Sequence, residues 1–296
     1  MHVFVTGATG WIGSAVVDDL LAAGHEVTGL ARSEAAALAL AKKGARVRRG
    51  DLDDLAGLRD GALDAQGVVH LANKHDWANP AESNRAERAA VETIADALVG
   101  TDRPFVLAAG LSGLVRDRPA VETDVSPEVG PGAHRGGSEN LALEYAEKGV
   151  RAVSVRFAPS VHGVGDHGFL AAITASAREH GVSAYLGDGT TAWAAVHRPA
   201  AAELVRLGLE GAPAGSRLHA VAEEAVTTRA IAEAVGRVLG LPVVSLAPEE
   251  AAGHFGFVGR FFGLDMAASS AITRELLGWT PTGPTLVEDI EGGAYA

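Results

Sequence analysis

Short apolar runs alternate with amphipathic stretches through the first half of the chain. "HVFVTG" is β-rich, and "SAVVDDLLAAGH" follows with apolar residues at helical spacing and Gly24 as a stop. "EVTGLA" predicts a second strand and "SEAAALALAKKG" a second helix, with Ser33 as its N-cap. "ARVRRG" predicts a third strand. "GVVHLA" and "PFVLAAG" predict a fourth and fifth, separated by a helical stretch over 81–99. "RAVSVRF" follows a helix that includes Leu141 to Glu147. Strands alternating with helices imply an α/β fold with a doubly wound parallel sheet covered on both faces.

After about residue 160 the rhythm changes. "YLGDGTTAWAAVHR" mixes turn residues with short β-like pieces, and "RLHAVA" predicts one more strand of the main sheet. "TTRAIAEAVGRVLG" predicts an amphipathic helix with Thr228 as candidate cap, and "ASSAITRELLGW" a further helix and a loop. The expected division is one domain over 1–160 plus part of about 195–222, and a smaller C-terminal lobe drawn mainly from 161–296. No repeat, linker or low-complexity block interrupts this order.

Composition narrows the function. The 296 residues are 47% hydrophobic and 21% charged, as in an ordinary globular protein able to bury a large core. The absence of cysteine removes disulfides, thiol nucleophiles and thiolate metal sites. A net charge of -12 opposes nucleic acid and anionic membranes as partners. "MHVFVTGATGWIG" lacks a basic leader and is broken by glycines, and no apolar run approaches the roughly 20 residues that span a bilayer. The expected location is cytoplasmic and the expected partner a small-molecule substrate, with a homodimer left open.

The candidate chemistry begins at "TGATGWIG", between the first strand and first helix. Gly7 allows a tight turn, Gly10 lets backbone approach a pyrophosphate, and Gly13 lets helix and strand pack closely. The helix start adds free N–H groups and a positive dipole end. This points to a dinucleotide held by Gly7, Thr9, Gly10, Trp11, Ile12 and Gly13, with Leu71, Ala72 and Asn73 after the fourth strand, in a Rossmann-type domain. After the second strand the text is "GLARS", where NAD sites carry an acid that accepts from the ribose hydroxyls. Arg32 and Ser33 suit a 2′-phosphate, so NADP(H) is preferred and NAD(H) remains open; the alternative is a solvated Arg beside a helix cap. Asp51 and Leu52 stand where an adenine is contacted, or form a turn with a cap.

On "TGATGWIG", "GDLDD", "VVHLAN", "VRFAPSVHGVGDHG" and "AAVHRPAAAELVRLGLE", the chain resembles the short-chain dehydrogenase/reductase superfamily over nearly its full length. The branch it resembles is the extended one, with epimerase/dehydratase-like and 3β-hydroxysteroid-dehydrogenase-like proteins. The resemblance implies a seven-stranded Rossmann domain with a small C-terminal substrate lobe. It also implies a Tyr that transfers a proton, a Lys that lowers its pKa, and a Ser or Thr that holds the substrate oxygen. The chain departs here. His134 stands at the Tyr place and Ser138 at the Lys place, while Ser112 in "LAAGLSG" is displaced by about two places. Tyr145 lies eleven residues after His134, and Lys148 follows it by three.

An imidazole, with an ordinary pKa of about 6.5, is able to replace a phenol as proton donor near neutrality. The candidate catalytic set is therefore His134, with Ser112 or Ser138 holding the oxygen. The alternative is that Gly136 and Gly137 delay the helix until Ser138, its N-cap, and leave His134 on a loop. His75, Asp76 and Trp77 form an acid relay or a pocket wall. His162, His167 and Asp166 superficially resemble metal ligands, but their glycine-rich setting favours a cofactor-side loop, and no metal is expected. Trp193 and His197 are placed in the substrate lobe or its core. Phe255, Phe257, Phe261 and Phe262 pack a core or form a lid over an apolar substrate. The expected function is NADPH-dependent reduction of a small carbonyl compound by a non-standard proton donor. A catalytically silent NADP-binding sensor or interaction protein is the alternative. Sugar-nucleotide epimerase or dehydratase activity is a third, and it needs the absent Tyr.

Overall fold

The computed structural model describes residues 1–115 and 117–296. The first part runs β1 (His2–Thr6), α1 (Trp11–Ala22), β2 (Glu26–Ala31), α2 (Glu34–Lys43), β3 (Arg46–Arg49), α3 (Leu55–Asp64), β4 (Gly67–His70), α4 (Pro80–Leu98), β5 (Pro104–Gly110), α5 (Ser138–Glu144) and β6 (Arg151–Phe157). The second runs β7 (Ser160–His162), α6 (Phe169–His180), β8 (Ser183–Leu186), β9 (Ala192–His197), α7 (Arg198–Gly211), β10 (Arg217–Ala220), β11 (Glu223–Thr227), α8 (Thr228–Leu239), β12 (Val243–Leu246), α9 (Ala251–Phe255), α10 (Gly259–Phe262), α11 (Ala271–Leu277) and α12 (Leu286–Glu291).

Seven parallel strands form the main sheet in the order β10-β6-β5-β4-β1-β2-β3. The chain builds outward from β1 to β3, then crosses back to β4 on the other side of β1. That reversal opens a crevice at the carboxyl ends of β1 and β4, the place where such sheets take ligands. Alternate residues of β1 point to opposite faces. Val3 and Val5 join one core with α1 and α7, while Phe4 joins another with α3 and α4. This doubly wound α/β sheet is the Rossmann-type fold that the strand pattern predicts.

After β6 the chain leaves the sheet, returns for α7 and β10, and leaves again. Outside it, β11-β9-β7 and β12-β8 form two small sheets around a core that includes Trp193, Phe255 and Phe262. Two local expectations shift. The N-cap of α8 is Thr227, whose Oγ1 accepts from Ala230 N at 3.1 Å, because Thr228 is buried inside the helix. Helix α1 starts at Trp11 rather than at Ser14, directly after the glycine loop. No helix among the described residues is long and apolar enough to cross a membrane.

Burial makes this fold acid-sensitive. His70 on β4 is buried beside Thr6 Oγ1 (2.9 Å) with Nε2 unpartnered, and desolvation pushes its pKa down to about 4, against the opposing pull of Glu87. Burial also lowers His162 and His219. A histidine with a folded pKa below its unfolded value of about 6.5 binds protons preferentially when unfolded. Its stabilisation is full above about pH 6.5 and is lost as pH falls toward 4. His70 alone should contribute on the order of 3 kcal/mol across that window. Urea midpoints should therefore drop clearly between pH 7.5 and pH 5, and equal midpoints would show that these histidines are protonated in the native state.

Candidate functional site

The crevice contains a cavity of about 840 Å³. Its floor is the glycine loop. Gly7 has φ +66°, and a Cβ there would stand 2.7 Å from Ala72 N, so the turn presses on the exit of β4. A Cβ at Gly13 would fall 2.0 Å from Gly7 O, so α1 sits directly on the turn. At Gly10 a Cβ would meet only Gly7 O, at 3.2 Å, which leaves bare backbone toward the cavity. The first N–H groups of α1 have no intrahelical acceptor and no acidic side chain in the first turn competes for them. Thr9, Trp11 and Ile12 complete this wall. Trp11 Nε1 donates to Val161 O at 2.7 Å, which ties the loop to β7.

Arg32 lies exposed past the end of β2 and lines the cavity. Among the described residues it makes no ion pair and no hydrogen bond, whereas nearby Arg48 and Arg49 are paired with Asp64 and Glu34. Ser33 does not line the cavity. Its Oγ accepts from Ala36 N at 3.2 Å, so local capping of α2 occupies it. Asp51 and Leu52 do line the cavity, and Asp51 Oδ1 also accepts from Asp53 N at 2.9 Å, so the turn and the wall are the same feature.

Leu71, Ala72 and Asn73 line the opposite side, past β4. Asn73 is held at both ends of its amide. Its Oδ1 accepts from His75 N at 2.7 Å, and its Nδ2 donates to Glu87, which is 1% exposed and also binds Arg135. Lys74 lines the cavity but is paired with Asp53 (2.8 Å) and Glu82 (3.2 Å), which raise its pKa. His75, at φ +50°, follows into the cavity wall. Partial desolvation, then the charge of Arg135, hold its imidazole below the ordinary range.

The structure does not bring the candidate catalytic set into this cavity. His134 is exposed, with its backbone N bonded to Glu128 Oε2 at 2.7 Å. Ser112 is exposed, and Ser138 is buried with Oγ donating to Arg135 O at 2.5 Å. None of the three lines the cavity. The cause is a left-handed run at Arg135, Gly136 and Gly137, with φ of 52°, 64° and 63°. A Cβ at Gly136 would lie 2.5 Å from Asn84 O, and Arg88 Nη1 donates to Gly136 O at 2.8 Å. This turn docks on α4 and delays α5 until Ser138, with Gly137 rather than Ser138 as the capping residue.

The tyrosines are engaged elsewhere. Tyr145 donates to Asp96 (2.6 Å), Tyr295 donates to Asp166 (2.8 Å), and Tyr185 accepts from Arg229 (2.9 Å). None of the three lines the cavity. The imidazoles that do are His75 and His167, the latter edge-on to Trp11 at 5.8 Å. His162 instead binds Asp289 Oδ2 at 2.6 Å, and His197 packs against it. Among the described residues no group of three or more His, Cys, Asp or Glu side chains is placed to hold a metal. Trp193 is fully buried in the core of the smaller lobe. The phenylalanines divide: Phe255 and Phe262 are buried, while Phe257 and Phe261 meet Trp77.

Ser160 escapes sequence reasoning. It lines the cavity at the start of β7, is 2% exposed, and its Oγ has no hydrogen-bond partner among the described residues. Its only signal is its place in "FAPSVHG", directly after the end of β6.

The sequence matches the NAD dependent epimerase/dehydratase family over residues 3–215. It is 42% identical over 295 residues to an uncharacterized protein of Schizosaccharomyces pombe, covering 100% of each chain. Over 164 residues, 53% of this chain and 49% of the other, it is 29% identical to the 4-hydroxy-2-methyl-3-oxo-4-farnesyl-3,4-dihydroquinoline-1-oxide ketoreductase of Stigmatella aurantiaca. The fold matches DesIV, a dTDP-glucose 4,6-dehydratase from Streptomyces venezuelae solved with NAD and TYD bound. That match has a TM-score of 0.77 at 21% identity and covers 99% of this chain and 96% of the other.

Proposed function

The chain belongs to the NAD dependent epimerase/dehydratase family, and from that premise we propose that it is an NADPH-dependent reductase of a small carbonyl compound. The observation that carries the choice of cofactor is Arg32, unpaired in the cavity wall past β2, with no carboxylate taking the acid's place. A guanidinium binds a 2′-phosphate by charge-assisted hydrogen bonds, whereas it offers nothing to replace the acceptor that a ribose hydroxyl requires. The rest of the cavity fits a dinucleotide. Gly7, Gly10 and Gly13 offer bare backbone and the start of α1 to a pyrophosphate. Ser160 Oγ, buried without a partner, is free to donate to a bound polar group.

A dinucleotide held there would supply the hydride chemistry by which a carbonyl becomes an alcohol. The chain must supply the proton for the new hydroxyl. We assign that role to His75, a cavity imidazole whose surroundings make it a stronger acid than usual. Asn73 fixes the backbone of His75 and is itself fixed by Glu87. The Stigmatella relative, described as a ketoreductase, supports the reaction class. A second reading, a protein that binds NADP(H) without turnover, draws on the absence of any tyrosine among the cavity-lining residues.

Calorimetry with NADP(H) and NAD(H) tests the cofactor, and NADPH oxidation with a panel of ketones and aldehydes tests the reaction. NADP(H) should bind more tightly. Arg32→Ala should weaken it by about ten- to a hundredfold, the scale of one lost charge-assisted contact, and leave NAD(H) unchanged. Equal affinities in the parent would remove the preference. Tight binding with no oxidation across the panel would favour the second reading.

A further inference from the structure

Four aromatic side chains from two separate parts of the fold meet beside the cavity. Trp77 follows β4, next to the cavity residues His75 and Asp76. Phe257 and Phe261 come from the smaller lobe, and Phe169 opens α6. The ring centroids lie 6.0 Å apart for Trp77–Phe257, 6.2 Å for Trp77–Phe261 and 6.0 Å for Phe169–Phe257. Phe169 and Phe261 stack at 5.1 Å. Phe169 itself lines the cavity, so the cluster continues its wall.

This cluster is not a closed core. Trp77 is 56% exposed and Phe257 48% exposed. The buried phenylalanines of the same segment, Phe255 and Phe262, already supply its anchorage in the smaller lobe. Large aromatics left half in water as a contiguous group mark a surface that gains by taking a ligand.

The charges nearby say which ligand. Arg32 and Lys74 are the Lys and Arg side chains that line the cavity. Arg32 sits past β2, on the far side of β1 from the aromatic cluster, and Lys74 is neutralised by Asp53 and Glu82. The charged groups at the aromatic end include the carboxylates Asp76 and Asp166. Asp76 is held ionised by Asn79. His75 beside them is held toward its neutral form. Among the described cavity-lining residues at that end a second diphosphate would meet negative charge and no free cation, Arg260 beside Phe261 being exposed and outside the cavity wall, whereas a neutral flat ring meets four aromatic faces.

We propose that Trp77, Phe257, Phe261 and Phe169 form the substrate subsite and that it takes a neutral aromatic ketone or aldehyde rather than a nucleoside-diphosphate sugar. This rests on the reductase reading for the carbonyl group, but the aromatic contact is independent of turnover. The subsite uses side chains of both lobes, so the ligand also bridges them.

The test is calorimetric binding of acetonaphthone and of UDP-glucose to the full chain in the presence of NADPH. It is run on the parent, on Trp77→Ala and on Phe257→Ala, both at exposed positions where the fold tolerates truncation. Acetonaphthone should bind the parent and UDP-glucose should not. Each variant should lose about tenfold in acetonaphthone affinity, the scale of one aromatic face removed from a ligand, with NADPH affinity unchanged. Acetonaphthone affinity equal in parent and both variants would overturn the subsite, as would tight UDP-glucose binding without acetonaphthone binding. Acetonaphthone that binds as expected but is never reduced would leave the subsite standing and sink the reductase reading. Oxidation of NADPH by small aliphatic carbonyls with no aromatic dependence would do the reverse.

Discussion

Gly10→Val should abolish dinucleotide binding and leave the protein folded. A Cβ at Gly10 would meet Gly7 O at 3.2 Å, a tight contact that needs the turn to give by a few tenths of an ångström, and the branched side chain should then project toward the cavity. It then occupies the ground where a pyrophosphate must approach the first turn of α1. The phosphate contacts act together, so the loss should be at least about a hundredfold in affinity, near 3 kcal/mol. Thermal unfolding should stay within a few degrees of the parent. Gly13→Ala provides the contrast, because its Cβ would fall 2.0 Å from Gly7 O and disturb the fold itself. A Gly10→Val protein that binds NADPH as the parent does would mean that the loop is not the phosphate site.

His75→Phe should lower carbonyl reduction by about a hundredfold or more, the usual scale of general acid catalysis, with NADPH affinity little changed. The pH profile carries the finer test. Reduction needs the protonated imidazole, so turnover should fall as pH rises through the His75 pKa. Desolvation and Arg135 place that pKa below the ordinary histidine value, so the fall should begin on the acid side of about 6.5. The reverse reaction, oxidation of the alcohol, needs the neutral ring and should rise over the same range. Full turnover in His75→Phe, with the parent's pH profile, would move proton delivery to His167 or to water.

Much of the main sheet is legible in the sequence because its strands are apolar runs between glycines and amphipathic helices. Helix α3 was not, since Gly57 and Gly61 interrupt "LAGLRDGALD" and its start depends on Asp54 Oδ1 accepting from Gly57 N at 2.9 Å. The glycine loop and the place of Arg32 in the cavity wall are readable because both follow from position in the chain. Ser33 shows a local rule prevailing over a ligand role, since its hydroxyl caps α2. The catalytic reading of His134 and Ser138 follows from the family resemblance and needs one helical turn to join them, against the alternative that Gly136 and Gly137 delay the helix. The left-handed turn on α4 decides for that alternative, and what fixes the turn, the close approach of Gly136 to Asn84, is a contact between distant segments. The meeting of Trp77 with Phe257 and Phe261 is equally non-local and has no periodic signal.

The turn at Arg135–Gly137 also bears on engineering. Installing Tyr at 134 and Lys at 138 would restore the family's letters without its active site. The Tyr would stand on the exposed loop now held by His134, and the Lys would replace the buried Ser138. The path of the main chain, held by Gly136 against α4, keeps position 134 out of the cavity, and side-chain substitution alone does not change it. Bringing a phenol from position 134 into the cavity would first require freeing Gly136 from α4, so the backbone contact must be changed before the side chain.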